Sequence, residues 1–291
     1  MPERNPNKKP FFRKKKKRPN GQDSFVQRQR GRIPVNRMKK GIFVFPSLLT
    51  LTSIFLGFYA IINAISGQYV LAGALIVVAG FFDKIDGTVA RLTKTSTRFG
   101  LELDSLADVI SFGVAPALLM YMWALEGYGR MGWVTCFVYV SCGALRLARF
   151  NVQSGTIDPE RFMGLPIPGA AGMIATTVLF CHKLNIPPSD YSLVLLVLTY
   201  LLSFFMVSNV RFHAFKDLTI VRRKPFSSTV AFVLLLALIA VSPYLVPFFI
   251  CAAYVASGPV ITLLLYRANK RNKEEARKPP ETEEADAEAT P

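Results

Sequence analysis

The sequence predicts an all-α fold, a polytopic membrane helix bundle of about eight transmembrane helices. Three observations predict it. Hydrophobic residues make up 51% of the 291, and they gather in runs of roughly twenty residues, the length that crosses a bilayer as a helix. The connections between these runs alternate sharply in charge. Inside two consecutive runs, carboxylates recur at helical spacing: Asp83 and Asp86 in one, Asp104 and Asp108 in the next. The first observation excludes a soluble globular domain, and the last points to chemistry inside the membrane region.

The elements follow in chain order. Residues 1–40 form a basic arm, with the run Lys14–Lys17 at its centre and only Glu3 and Asp23 in opposition. Pro, Asn, Gln and Gly fill its gaps, a composition that predicts disorder. A basic arm before a full-length apolar segment argues against a cleavable signal peptide. The spans then fall at about 42–65, 69–92, 101–124, 131–152, 167–185, 190–210, 228–243 and 245–267, together a transmembrane domain over 41–267. Pro116 is expected to kink the third. Residues 268–291 form a charged tail with Glu281, Glu283, Glu284, Asp286 and Glu288, expected to be disordered.

The charge of the loops sets the orientation. The arm, Lys94 with Arg98, Arg161, the stretch from Lys216 to Lys224 and that from Arg267 to Lys273 fall on one side. Ser66–Gly67–Gln68, the loop with Glu126 and Arg130, Lys183 with Asp190, and the Ser242–Pro243 turn fall on the other. The positive-inside rule makes the first set cytoplasmic. The chain is therefore expected in the cell's inner, cytoplasmic membrane with both termini on the cytoplasmic side. The net charge of +16 is largely this arm, whose simplest partner is anionic membrane lipid. Its aromatics are few (Phe11, Phe12, Phe25), so nucleic acid is not expected. Cys136, Cys142, Cys181 and Cys251 lie in apolar segments without metal-ligand or CxxC spacing, and read as small core residues.

The polar positions of spans two and three are periodic. Asp83, Asp86, Gly87, Ala90 and Arg91 share one helical face; so do Gly100, Asp104 and Asp108. The orientation places both sets at the cytoplasmic end of their helices, so two separate arguments bring four carboxylates to one depth. An acid in a membrane helix is costly and marks function. Carboxylates bind hard cations, and four that converge suggest divalent metal working on phosphate. Ion pairing with Lys84, Arg91 and Arg98 is the plainer alternative, but four periodic acids exceed what it needs. Gly87, Ala90 and Gly100 either admit a ligand or let helices approach.

Asp83-x-x-Asp86-Gly87-x-x-Ala90-Arg91 followed by Gly100-x-x-x-Asp104-x-x-x-Asp108 resembles the signature of the CDP-alcohol phosphatidyltransferase family at all eight positions. The resemblance implies a six-helix catalytic core within the bundle and Mg²⁺ or Mn²⁺ on Asp83, Asp86, Asp104 and Asp108. It implies a CDP-linked lipid, CDP-diacylglycerol, beside Gly87, Ala90, Arg91 and Gly100. An alcohol attacks the phosphorus nearer the lipid, and CMP leaves. A homodimer is also implied.

Further stretches resemble the phosphatidylserine synthase branch: Ser111-Phe112-Gly113-Val114-Ala115-Pro116-Ala117, Ala144-Leu145-Arg146-Leu147-Ala148-Arg149-Phe150-Asn151, Gly164-Leu165-Pro166-Ile167-Pro168 and Val207-Ser208-Asn209. The implied acceptor is the hydroxyl of L-serine, with phosphatidylserine and CMP as products. Arg146 and Arg149 can hold a carboxylate or a phosphate bidentately, or anchor to headgroups. Ser111 can touch the acceptor, or bond back to its own helix. Asp108, next to this stretch, is the candidate general base. In the first span, serine stands at Ser47 and Ser53 where the family often has Asn.

Two other readings compete. A sibling enzyme would use glycerol 3-phosphate or inositol phosphate, but those resemble a pattern with Lys after the last aspartate, where this chain has Val109. A divalent-metal transporter would need acids continuing to the outer side, and span six has none from Tyr191 to Arg211.

Overall fold

The computed structural model describes residues 44–92, 98–153, 164–210, 212 and 225–275, all within the compact unit Gly41–Pro291. The described residues are helical with no strand, in eight rods: α1 (Val44–Ile65), α2 (Tyr69–Leu92), α3, α4 (Arg130–Gln153), α5 (Ile167–Lys183), α6 (Pro188–Val207), α7 (Pro225–Val241) and α8 (Leu245–Glu275). The rod α3 is composite. An α-helix Arg98–Asp108 passes into a π-helix Val109–Val114, an α-helix Ala115–Met120, a second π-helix Tyr121–Leu125 and a 3-10 turn Glu126–Tyr128.

Five rods, α1, α3, α4, α6 and α8, are both long and apolar enough to cross a membrane, which makes this a multi-pass membrane protein. The other three fall short for visible reasons. α5 and α7 have 17 residues each, and α2 interrupts its apolar run with Asp83, Lys84 and Asp86. One boundary is corrected: α8 continues to Glu275, so the tail expected from 268 starts inside a helix. The arm 1–40 and residues 276–291 lie outside the described residues.

α1 and α2 form an antiparallel hairpin and pack along each other more extensively than any other pair. The turn is a Schellman motif. Gly67 takes φ 76°, its N–H donates to Ala64 O at 3.2 Å, and Gln68 N–H donates to Asn63 O at 2.8 Å. Without hydrophobic drive inside lipid, helices associate through close packing of small residues. Ala60, Ala64, Ala72 and Ala79 are accordingly fully buried. α5 packs on α2 and α8, and α4 on α6. α7 turns Val233, Leu234, Leu236 and Leu238 outward, as suits a helix facing hydrocarbon.

The kink expected at Pro116 is resolved by a change of helix type. Proline has no N–H for the carbonyl one turn earlier. α3 widens to π-helix just before it, and the fully buried Tyr139 donates its hydroxyl to Phe112 O at 3.2 Å. The π-turn begins directly after Asp108, so the chain changes helical register at the last acid of the motif. Such turns recur at functional positions.

Candidate functional site

α2 and α3 run in opposite directions here, which decides how the acids meet. Moving three residues along α2 from Asp83 to Asp86 matches moving four residues back along α3 from Asp108 to Asp104. Asp83 therefore pairs with Asp108 at one level, and Asp86 with Asp104 a turn nearer the helix ends. Carboxylate oxygens of Asp83, Asp86 and Asp104 all lie within 4.8 Å of one another. Asp108 does not complete that group. Its carboxyl lies beside that of Asp83 and within electrostatic range of the guanidinium of Arg146. The expected four-acid cage is thus three acids that can hold a divalent ion and a fourth beside them.

α1 supports this cluster with Thr50, which the sequence reading did not single out. Thr50, 6% exposed, donates its hydroxyl to Asp86 Oδ2 at 3.0 Å. This orients Asp86, itself buried, and leaves its other oxygen for the cluster. The signal was present: Thr50 stands in the Pro46-Ser47-x-x-Thr50 stretch of α1. Ser53 Oγ reaches Ala79 O on α2 at 3.5 Å, a weak tie between helices.

Ser111, read as touching the acceptor or bonding back to its own helix, is fully buried and donates its hydroxyl to Ser53 O at 2.9 Å. It fastens α3 to α1, and Gly57 makes the approach possible. A Cβ on Gly57 would stand 2.5 Å from Ser111 Oγ and 2.7 Å from its Cα, so no larger residue fits without moving α3 and the acids it carries.

The small residues of the motif divide. A Cβ on Gly87 would meet nothing within 4 Å, so close helix packing does not account for that glycine. The open space beside Asp86 suits a ligand. Gly100 is half-buried near the start of α3. Ala90 and Arg91 lie on the last turn of α2, and their side chains fall outside the described residues.

The two arginines also separate. Arg149 is exposed and donates through both terminal nitrogens to Asn209 Oδ1, at 3.3 and 3.4 Å. This links the end of α4 to the residues after α6. Asn151 donates to Ser105 Oγ at 2.9 Å, tying α4 to α3 one residue from Asp104. Arg146 lies one turn deeper. Among the described residues, the buried side-chain polar atoms with no hydrogen-bond partner are Asp108 Oδ1 and Arg146 Nε. Buried polar atoms are nearly always satisfied. An acid and a guanidinium within electrostatic range, each with an idle buried atom, beside an acid cluster, suit a ligand site.

The comparisons agree with this geometry. The family model for CDP-alcohol phosphatidyltransferase matches residues 43–208. The chain belongs to the CDP-alcohol phosphatidyltransferase family. Its relatives include two Helicobacter pylori proteins named CDP-diacylglycerol–serine O-phosphatidyltransferase, 44% and 43% identical over 184 residues, covering 63% of this chain and 76% of theirs. A Mycobacterium bovis protein of the same name is 41% identical over 160 residues, covering 53% of this chain and 54% of its own. The family match takes in α1 to α6, with all four acids, Arg146 and Arg149. α7 and α8 lie beyond it.

Proposed function

We propose that this protein transfers the phosphatidyl group of CDP-diacylglycerol to the hydroxyl of L-serine, giving phosphatidylserine and CMP. The observation that carries the reading is the pair of idle atoms on Asp108 and Arg146 beside the three-acid cluster. A carboxylate free to take a proton and a guanidinium free to hold an anion stand together where the reacting phosphate would be held.

In this reading Asp83, Asp86 and Asp104 hold Mg²⁺ or Mn²⁺, and Asp108 can add a ligand from its Asp83 side. The donor set fits: all are hard oxygen ligands, and three carboxylates within 4.8 Å repel one another unless a cation or a proton lies among them. The ion would supply positive charge to the phosphate oxygens as they develop charge. The chain's residues do the rest. The space beside Gly87 takes the nucleotide end, with Ala90, Arg91 and Gly100 along the same edge. Arg146 holds the serine carboxylate and so directs its hydroxyl toward Asp108. Asp108 takes the hydroxyl proton as the serine oxygen bonds to the phosphorus nearer the diacylglycerol. The bond from that phosphorus to the pyrophosphate bridge oxygen breaks, and CMP leaves with the electron pair. Arg149, held by Asn209 at the rim, meets the lipid phosphate.

The test supplies purified protein with CDP-diacylglycerol, a divalent metal and, separately, serine, glycerol 3-phosphate, inositol phosphate or choline, and measures CMP. Strong release is expected with serine alone. Turnover with glycerol 3-phosphate and none with serine overturns the acceptor assignment.

The same reading places the site and both termini at the cytoplasmic face of the inner membrane, with the protein a homodimer. It makes the arm an anchor on anionic lipid, each Lys or Arg near the surface contributing about 1 kcal/mol. Deleting residues 1–36 should leave turnover in detergent nearly unchanged and weaken binding to vesicles containing anionic lipid. A folded deletion with no activity in detergent would put the arm in the site.

A further inference from the structure

The inward face of α1 is a single narrow stripe. Thr50, Ser53, Gly57, Ala60 and Ala64 recur at alternating steps of three and four residues, and all are buried. Leu51, Phe55, Phe58 and Ile62, between them in the chain, are exposed. α1 packs on both acid-bearing helices, along α2 and on the first half of α3. Toward the turn into α2 the stripe is bare alanine, which lets the helices approach closely. Toward the start of α1 it is polar, and that end reaches the level of the acids.

Two hydrogen bonds register this end of α1 against both helices. Ser111 of α3 donates to Ser53 O at 2.9 Å, where Gly57 removes the side chain that would block it. One turn earlier, Thr50 donates to Asp86 Oδ2 on α2 at 3.0 Å. The second bond is made away from water, since Thr50 is 6% and Asp86 3% exposed. Asp83 and Asp104, the other acids of the cluster, are only half-buried, so water can reach and reorient them. Asp86 has no such shell, and Gly87 beside it adjoins open space. The hydroxyl of Thr50 is therefore a direct restraint on the plane of the Asp86 carboxylate.

We propose that Thr50 is a positioning residue for the divalent ion: its hydroxyl fixes the Asp86 carboxylate, so that α1, which carries no acid, sets how tightly the cluster holds Mg²⁺ and how far it favours Mg²⁺ over the larger Ca²⁺. The proposal rests on the metal reading above. A carboxylate that is oriented only when the ion arrives loses side-chain freedom at that moment, whereas one already held does not. Mg²⁺ demands near-ideal octahedral geometry with short bonds, while Ca²⁺ accepts longer bonds in flexible arrangements. A hydrogen bond that holds one ligand in place therefore helps the small ion more than the large one.

The test titrates Mg²⁺ and, separately, Ca²⁺ into the full-length protein in detergent without substrates. Dissociation constants come from the heat of binding and from the rise in Tm. Thr50→Val keeps the shape of the side chain and removes the donor, and Thr50→Ser keeps the donor. In Thr50→Val the Mg²⁺ constant should rise about 10- to 100-fold, the usual effect of removing a hydrogen-bond partner from a metal ligand. The Ca²⁺ constant should rise by less, so the variant loses preference for Mg²⁺. Thr50→Ser should bind both ions as the wild type does. Elution volume and the Tm without metal check the fold. If Thr50→Val does not fold, Thr50→Ala, which lacks the donor and cannot clash, is measured in its place with the same expectation. An unchanged Mg²⁺ constant, an equal rise for both ions, or the same loss in Thr50→Ser overturns the proposal. A lower metal-free Tm with unchanged binding is what a merely structural role would give, and it overturns the proposal too. The wild type separates the two readings. A wild type that binds neither ion overturns the metal reading, and the role of Thr50 with it. A wild type that binds Mg²⁺ no more tightly than Thr50→Val leaves the metal reading standing and overturns only the role of Thr50.

Discussion

Asp83→Asn, Asp86→Asn and Asp104→Asn should each abolish CMP release, and chelator should abolish it in the wild type. Each substitution removes one charge from a cluster whose oxygens lie within 4.8 Å of each other. Without a cation this cluster is repulsive. Two unit charges at that distance repel by about 3 kcal/mol at an effective dielectric near 20, and by less where water reaches the half-buried Asp83 and Asp104. Activity and stability should therefore move in opposite directions. The metal-free variants should melt no lower than the metal-free wild type, while the rise in Tm on adding Mg²⁺ or Mn²⁺, present in the wild type through linkage, should shrink or vanish. Melting curves with and without metal give this result independently of turnover. Full activity in chelator, or an undiminished metal-dependent rise in Tm in all three variants, sinks the metal assignment. Asp86 is the most informative. Asn at that position keeps an oxygen for the Thr50 hydroxyl, so loss of activity there reports the charge rather than the tie to α1.

Asp108→Asn should lose at least ~10²-fold in kcat, the lower end for removing a general base, while CDP-diacylglycerol still binds. A serine hydroxyl is a poor nucleophile while protonated, so a base must lie within hydrogen-bond reach of it. Asp108 lies beside the three-acid group, its Oδ1 is buried without a partner, and Arg146 is within electrostatic range of it. The other three acids remain to hold metal, so binding and chemistry should part. Titration of CDP-diacylglycerol into the variant, alongside single-turnover kinetics, measures both. A variant that turns over normally means that Asp108 is not the base. A variant that cannot bind the nucleotide lipid means that its main task is metal ligation.

The acids were legible in the sequence because their information is local. Helical spacing puts residues three and four apart on one face, and loop charge puts two consecutive spans antiparallel. Those two rules suffice to bring Asp83, Asp86, Asp104 and Asp108 to one depth. Gly87 was legible as a small residue but not as one beside open space; helix packing and ligand space look alike until the surroundings are known. The tie made by Ser111 was not legible for a related reason. A serine three residues beyond an acid lies near it on the helix, yet its hydroxyl here points to the backbone of α1.

The sequence by itself determined the all-α membrane class, the order of the spans and the pairing of two acids on each of two helices, since bilayer thickness and helical period act on every residue in turn. Only the tertiary structure decided which acids form the cluster and which stands aside, because that depends on the level at which α2 and α3 meet. It also decided that Thr50 orients Asp86 and that Gly57 admits Ser111. Such contacts depend on how closely particular helices approach, and in lipid that is set by where small residues face large ones across an interface. No spacing within a single helix records which partner it will meet.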